Sequence, residues 1–355
     1  MERELGPDGL PRMIDALVRS GREVVATVVR DGVVTLDRIE SAAELPTGWR
    51  DEQEPGRYRA QPTESPSYFQ FAASAQPWKR FLHEEPTLLI RTRRTGDGLQ
   101  LTEPAGDRPA LAFVGIRSCD LEATRRLDAV LAADPAYQRR RAGLVVIAVA
   151  CTAPAATCFC ASVGTGPRPG HEADVVLTEI DDGHLLASAH TDFGRNLLDE
   201  SGANERADPE QVGRAHELVE ACAQVQARHL DPDDLARAAA HPDDKGWAEV
   251  ANRCLTCGNC TMVCPTCFCT AIEDRTSIAD DSAERWQRWD SCFSLDFSYV
   301  HGGPVRPSAS SRYRQWYLHK LVTWHDQFGS SGCVGCGRCI TWCPTGIDMT
   351  EAVVR

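Results

Sequence analysis

The stretch Cys254-Leu255-Thr256-Cys257-Gly258-Asn259-Cys260-Thr261-Met262-Val263-Cys264-Pro265 returns in pattern as Cys333-Val334-Gly335-Cys336-Gly337-Arg338-Cys339-Ile340-Thr341-Trp342-Cys343-Pro344. Both read C-x2-C-x2-C-x3-C-P. Three closely spaced thiolates can wrap three corners of an iron–sulfur cube. The fourth, past a turn and before a proline, reaches the other cube. The spacing therefore predicts two [4Fe–4S] clusters. Cys254, Cys257, Cys260 and Cys343 would hold the first, and Cys333, Cys336, Cys339 and Cys264 the second. Zinc sites offer C-x2-C pairs separated by longer loops, a poorer match to two full runs with matching prolines.

A chain of 355 residues has room for two domains and a sizeable core. Its 16 cysteines would suggest disulfides in a short secreted protein. Here residues 1–31 carry charges throughout and contain no apolar leader segment, and no stretch approaches the roughly 20 apolar residues of a membrane span. The expectation is a cytoplasmic protein whose thiols bind metal. A net charge of −13 argues against nucleic acid and anionic membrane surfaces as partners. Residues 195–245 hold twelve acidic and six basic side chains, a solvated linker face or a docking surface.

Outward from the cysteine runs, the N-terminal part reads as α/β. Residues 10–19 have helical spacing. Residues 23–30 and 33–39 flank Asp31-Gly32, a hairpin turn signal. Residues 41–66 read as loop, 68–83 as helix and 87–94 as strand. Residues 110–116 and 144–150 are short runs of apolar residues, separated by helical spacing over 120–131. That is a βαβ unit in a buried parallel sheet. Residues 173–180 and 184–191, joined by Asp181-Asp182-Gly183, read as a hairpin. Asp208-Pro209 opens a helix to about residue 230, and 233–240 a shorter one. Seventy-nine positions separate Cys254 from Cys333, which suggests a helical insertion. The expected architecture is an α/β domain with parallel strands (1–205), a helical linker (206–245) and an α-helical ferredoxin-type domain carrying both clusters (246–355).

A second set of thiols lies in the α/β part. Cys119 follows the first parallel strand and Cys151 the second, so both emerge at the carboxyl edge of the sheet, where open α/β sheets place their sites. Cys158 and Cys160 follow in a loop that can fold back. Cys119, Cys151, Cys158 and Cys160 are thus candidate ligands of a third [4Fe–4S] cluster, the alternative being small buried core residues. Thr157-Cys158-Phe159-Cys160 is echoed by Thr266-Cys267-Phe268-Cys269. With Cys292, the latter two thiols are candidates for outer positions that tune the clusters, or ligands of another centre. Cys222 reads as core. Arg117 is placed to stabilise a reduced cluster or to pair with Asp120. His319 and His325 are candidate ligands or ordinary surface histidines.

Cys119-Asp120, Cys158-Phe159-Cys160 before Gly164-Thr165-Gly166-Pro167, Cys264-Pro265-Thr266-Cys267-Phe268-Cys269 and Trp289-Asp290-Ser291-Cys292, together with the last cysteine run, resemble the β subunit of soluble sulfhydrogenases (group 3b-type [NiFe] hydrogenases). A close relative is the iron–sulfur relay protein of anaerobic sulfite reductase. Both are 4Fe-4S dicluster proteins. The resemblance covers residue 85 onward. It implies an electron-transfer subunit, not catalytic alone, relaying single electrons between a flavin subunit that handles NAD(P)H and the small and large subunits of a cytoplasmic [NiFe] hydrogenase. The alternatives are a sulfite reductase relay or a free-standing iron–sulfur oxidoreductase. No strand-linked G-x-G-x-x-G is present, so neither nicotinamide nor nickel is expected on this chain. If all three thiol sets carry cubanes, iron analysis of the anaerobically purified protein gives about twelve atoms per chain, at four per cube. A value near eight would remove the third cluster.

Overall fold

Two strands that are apolar almost throughout, Leu111–Arg117 and Val145–Ala150, are buried at every position and pair in parallel. Only a strand covered on both faces has that pattern. In the computed structural model, which describes all residues except 1, 73, 104–109, 171, 182, 352, 354 and 355, these strands centre a seven-stranded mixed sheet. Glu23–Arg30 and Val175–Asp181 flank them in parallel. Val33–Ile39, His184–Ala189 and Glu2–Leu5 complete the sheet with antiparallel pairings. Asp182, in the expected hairpin turn, lies outside the described residues.

Alternate residues serve two cores, as the period of a strand requires. Ala112, Val114, Ile147 and Val149 pack with the helix Gly9–Arg19 on one face. Phe113, Ile116, Val146 and Ala148 pack with Leu121 and Leu127 of the helix Ser118–Val130 on the other.

Three expectations change. Residues 41–66 are not all loop, because Trp49–Glu54 and Arg57–Pro62 form a hairpin. Its strands are polar and lack the apolar alternation that marks one. Of residues 68–83, only Lys79–Leu82 is helical. The buried Glu179 carboxylate accepts the backbone N–H groups of Tyr68 (2.7 Å) and Phe69 (2.9 Å), holding this segment out of helical register. The insertion between the cysteine runs is also not purely helical. Thr270–Thr276 and Ser282–Trp289 form a hairpin whose second strand pairs with Thr87–Thr95, which in turn pairs with Gly98–Thr102. This four-stranded sheet draws on both ends of the chain.

The rest of the insertion is helical. Ala309–Leu318 continues through a wide π turn, His319–Thr323, into Trp324–Phe328. Tyr313, Trp316, Tyr317 and Leu321 pack there with Trp247 and Ile340 in a third core that borders the cysteine runs.

One ion pair ties this region to the large sheet. Arg338, inside the second cysteine run, donates to Asp120, beside Cys119, at 2.8 Å, and both side chains are 1% exposed. Removing one partner of such a pair strands a buried charge. Arg338→Met should lower the unfolding free energy by about 3–5 kcal/mol, read as a shift in urea midpoint. Adding Asp120→Leu to it should recover most of that loss.

Candidate iron–sulfur centres

The two cysteine runs adopt the same local fold. In each, a glycine with left-handed φ (Gly258, +74°; Gly337, +73°) opens a short helix, Asn259–Met262 or Arg338–Thr341. The two helices pack against each other. Cys254, Cys257, Cys260 and Cys343, the set expected for the first cluster, line one cavity, with Phe293, Tyr313 and Trp316 as apolar wall. Tyr313 Oη and Trp316 Nε1 are buried there without a hydrogen-bond partner. Orphaned donors beside four thiols fit a group rich in acceptors, as the sulfides of a cubane are. Burial holds the Cys260 thiol well above its ordinary range, so a metal would have to displace a firmly held proton.

Cys333, Cys336, Cys339 and Cys264, the second set, lie within electrostatic reach of one another. Two of them also belong to neighbouring sites. Cys339 lines the first cavity, and Cys336 lines a third. Cys264 differs from the rest. A hydrogen bond from Cys267, reinforced by the ammonium of Lys320, holds its thiol well below the ordinary value. Burial alone would lower Lys320, but Cys264, Cys267 and Cys333 outweigh it and keep it charged. Its ammonium donates to Thr266 Oγ1 at 2.7 Å.

The third cavity sits at the carboxyl edge of the large sheet and is lined by Cys119, Cys151, Cys158 and Cys160. The loop bearing Cys158 and Cys160 is clamped to the second cysteine run. Phe159 N–H donates to the Gly335 carbonyl at 2.8 Å, Thr165 Oγ1 donates to the Val334 carbonyl at 2.8 Å, and Thr157 and Thr341 hydroxyls share a 2.8 Å bond. A Cβ on Gly335 would stand 2.6 Å from the Cys160 backbone, so only glycine admits this approach. Arg117 does not pair with Asp120, which Arg338 takes. Its guanidinium donates to the carbonyls of Phe69 (2.9 Å) and Phe71 (2.7 Å) and reaches Cys151 Sγ at 3.8 Å. Among the described residues, no three His, Cys, Asp or Glu side chains converge closely enough for a single metal ion. The thiols ring cavities instead.

Four contributors escaped sequence reasoning. Cys222, expected as core, is buried but also lines the third cavity, where burial raises its thiol to about 12. Gln226 donates to Cys160 Sγ at 3.3 Å. Lys79 and Lys320 are buried cations beside Cys264 and Cys267. Lys79 donates to the Cys267 carbonyl at 2.6 Å and sits 4.1 Å above the Trp289 ring. No local motif signals a lysine that packs on residues some 200 positions away. His319 lies edge-on to Phe268 and beside Trp324, and burial lowers its pKa.

Family models for the 4Fe-4S dicluster domain match residues 219–268 and 253–347. The sulfhydrogenase 2 subunit beta of Pyrococcus furiosus is 33% identical over 260 residues, covering 72% of this chain and 76% of that protein. The chain belongs to this sulfhydrogenase beta family. It is an iron–sulfur protein, as the double cysteine run led one to expect. No solved structure matches it. Among the described residues, no helix is long and apolar enough to cross a membrane.

A histidine supports the hairpin that carries the family's Trp-Asp-Ser-Cys element. The Trp289 indole N–H donates to the His83 carbonyl at 2.9 Å, and the two rings stack. Burial first, then the charge of Lys79, holds His83 at about 4. A depressed histidine contributes stability that is complete above its unfolded value near 6.5 and is lost as pH falls toward 4. Between pH 7 and 4, His83→Gln should remove about 2–3 kcal/mol from the pH dependence of unfolding, measured by denaturant titration at each pH.

Proposed function

We propose that this chain is an electron-transfer subunit that relays single electrons through three [4Fe–4S] clusters, held by the three sets of thiols described above. Cubanes accept and release one electron at a time, at potentials set by charge, hydrogen bonding and solvent access. What carries the reading is the sharing of walls. Cys339 of the middle set borders the first cavity and Cys336 borders the third, so the three sites are contiguous. The surrounding residues favour reduced, more negative states. Lys320 and Lys79 place positive charge beside Cys264, Arg117 does so beside Cys151, and Arg338 lies within the electrostatic surroundings of Cys336 and Cys119.

On this reading the relay joins a flavin subunit that handles NAD(P)H to the small and large subunits of a cytoplasmic [NiFe] hydrogenase. The family name of the relative and the free state of the thiols support it. The functional division follows the thiols: the third cluster with residues 1–205, a linker over 206–245, and the first two clusters with 246–355. Anaerobic co-purification from the native organism should recover flavin and [NiFe] subunits. A sirohaem protein in their place would assign the chain to a sulfite reductase. Cys119→Ser should lower iron by about four atoms per chain, one cube, while the two remaining clusters still show interacting electron paramagnetic resonance signals after reduction.

A further inference from the structure

Three thiols stand outside the relay: Cys267, Cys269 and Cys292. Cys267 lies against Cys264. The other two are brought together by the hairpin. Thr270 pairs with Trp289 in the strand register, and Asp290 N–H donates to the Cys269 carbonyl at 2.8 Å. Cys269 precedes the first strand directly and Cys292 follows the second by three residues, so the turn after Trp289 returns Cys292 to Cys269. Both thiols are partly exposed and open into a cavity of about 380 Å³, whose wall carries the positive side chains of Arg306 and Lys320.

We propose that Cys269 and Cys292 form a redox-active dithiol–disulfide couple that exchanges with a small anionic disulfide admitted by this cavity. The assignment of the two roles follows from their contact. A hydrogen bond from Cys292 holds the Cys269 thiol at about 7, whereas Cys292 itself is pushed up, first by that bond and then by burial. Cys269 is therefore the attacking thiolate and Cys292 the resolving thiol.

The exchange balances as follows. Cys269 thiolate attacks one sulfur of the disulfide, forms a mixed disulfide and releases one thiolate. Cys292 gives up its proton to solvent and attacks Cys269 Sγ, closing the protein disulfide and releasing the second thiolate. The protein loses two electrons and the small disulfide gains them. Two electrons, delivered singly from the clusters, and two protons restore the dithiol. That return step alone rests on the relay reading.

The test uses the full chain, purified anaerobically with its clusters. It is exposed to dithiodiglycolate as the anionic probe and, in parallel, to the neutral bis(2-hydroxyethyl) disulfide. Free thiols are then alkylated and peptides mapped without reduction. The expected result is a Cys269–Cys292 crosslink forming about tenfold faster with the anionic probe. Cys292→Ser should trap the probe on Cys269 with iron content unchanged. No crosslink, equal rates with both probes, or loss of iron in Cys292→Ser would each overturn the proposal. The crosslink is read on peptides and the clusters on iron. A protein that lacks iron yet still forms the crosslink would count against the relay, not against the couple.

Discussion

The Asp120–Arg338 pair is the point on which the arrangement of thiols turns. Each partner sits one residue from a cysteine: Asp120 follows Cys119, and Arg338 precedes Cys339. The pair is out of water, where an unmatched charge costs several kcal/mol. Arg338 also donates to the Ser74 carbonyl. The sheet edge that bears Cys119 cannot shift relative to the second cysteine run without breaking this contact. Electron transfer between centres depends on fixed separations, and a buried ion pair with defined geometry supplies that fixity better than apolar packing, which tolerates small slides.

The middle set of thiols draws its character from what surrounds it. Two buried lysines stand near Cys264, and the bond from Cys267 adds to their effect on its thiol. By contrast, Cys158 and Cys160 are raised chiefly by burial. The two environments oppose each other. One favours a thiolate before any metal arrives, and the other holds on to its protons. A metal-free chain thus offers unequal sites, and the set near Lys320 is the better prepared to receive iron.

The cysteine runs and the parallel sheet were legible in the sequence because their signals are local: fixed ligand spacing in one case, unbroken apolar strands in the other. The gathering of Cys119, Cys151, Cys158 and Cys160 on one cavity followed from a topological rule about strand ends. What could not be read were partnerships across long separations. Asp120 and Arg338 lie 218 positions apart, and nothing near Asp120 distinguishes Arg117 from Arg338 as its partner. The hairpin Trp49–Glu54 and Arg57–Pro62 was missed because its buried contacts are polar, such as Gln53 accepting from Thr341 at 2.9 Å. The hairpin in the insertion was missed because its packing partner is a strand from the other half of the chain.

That mixed sheet bears on how the protein is made. Thr87–Thr95 and Gly98–Thr102 leave the ribosome early, yet their partner strand, Ser282–Trp289, emerges nearly two hundred residues later. The early strands expose an unpaired edge throughout that interval, with Leu99 and Leu101 solvent-facing even in the finished fold. An edge of this kind invites pairing with other chains. The first thiol cavity is likewise incomplete until residue 343 has been synthesised. Iron insertion and closure of the second sheet therefore belong to the same late stage of biogenesis, after translation of the last cysteine run.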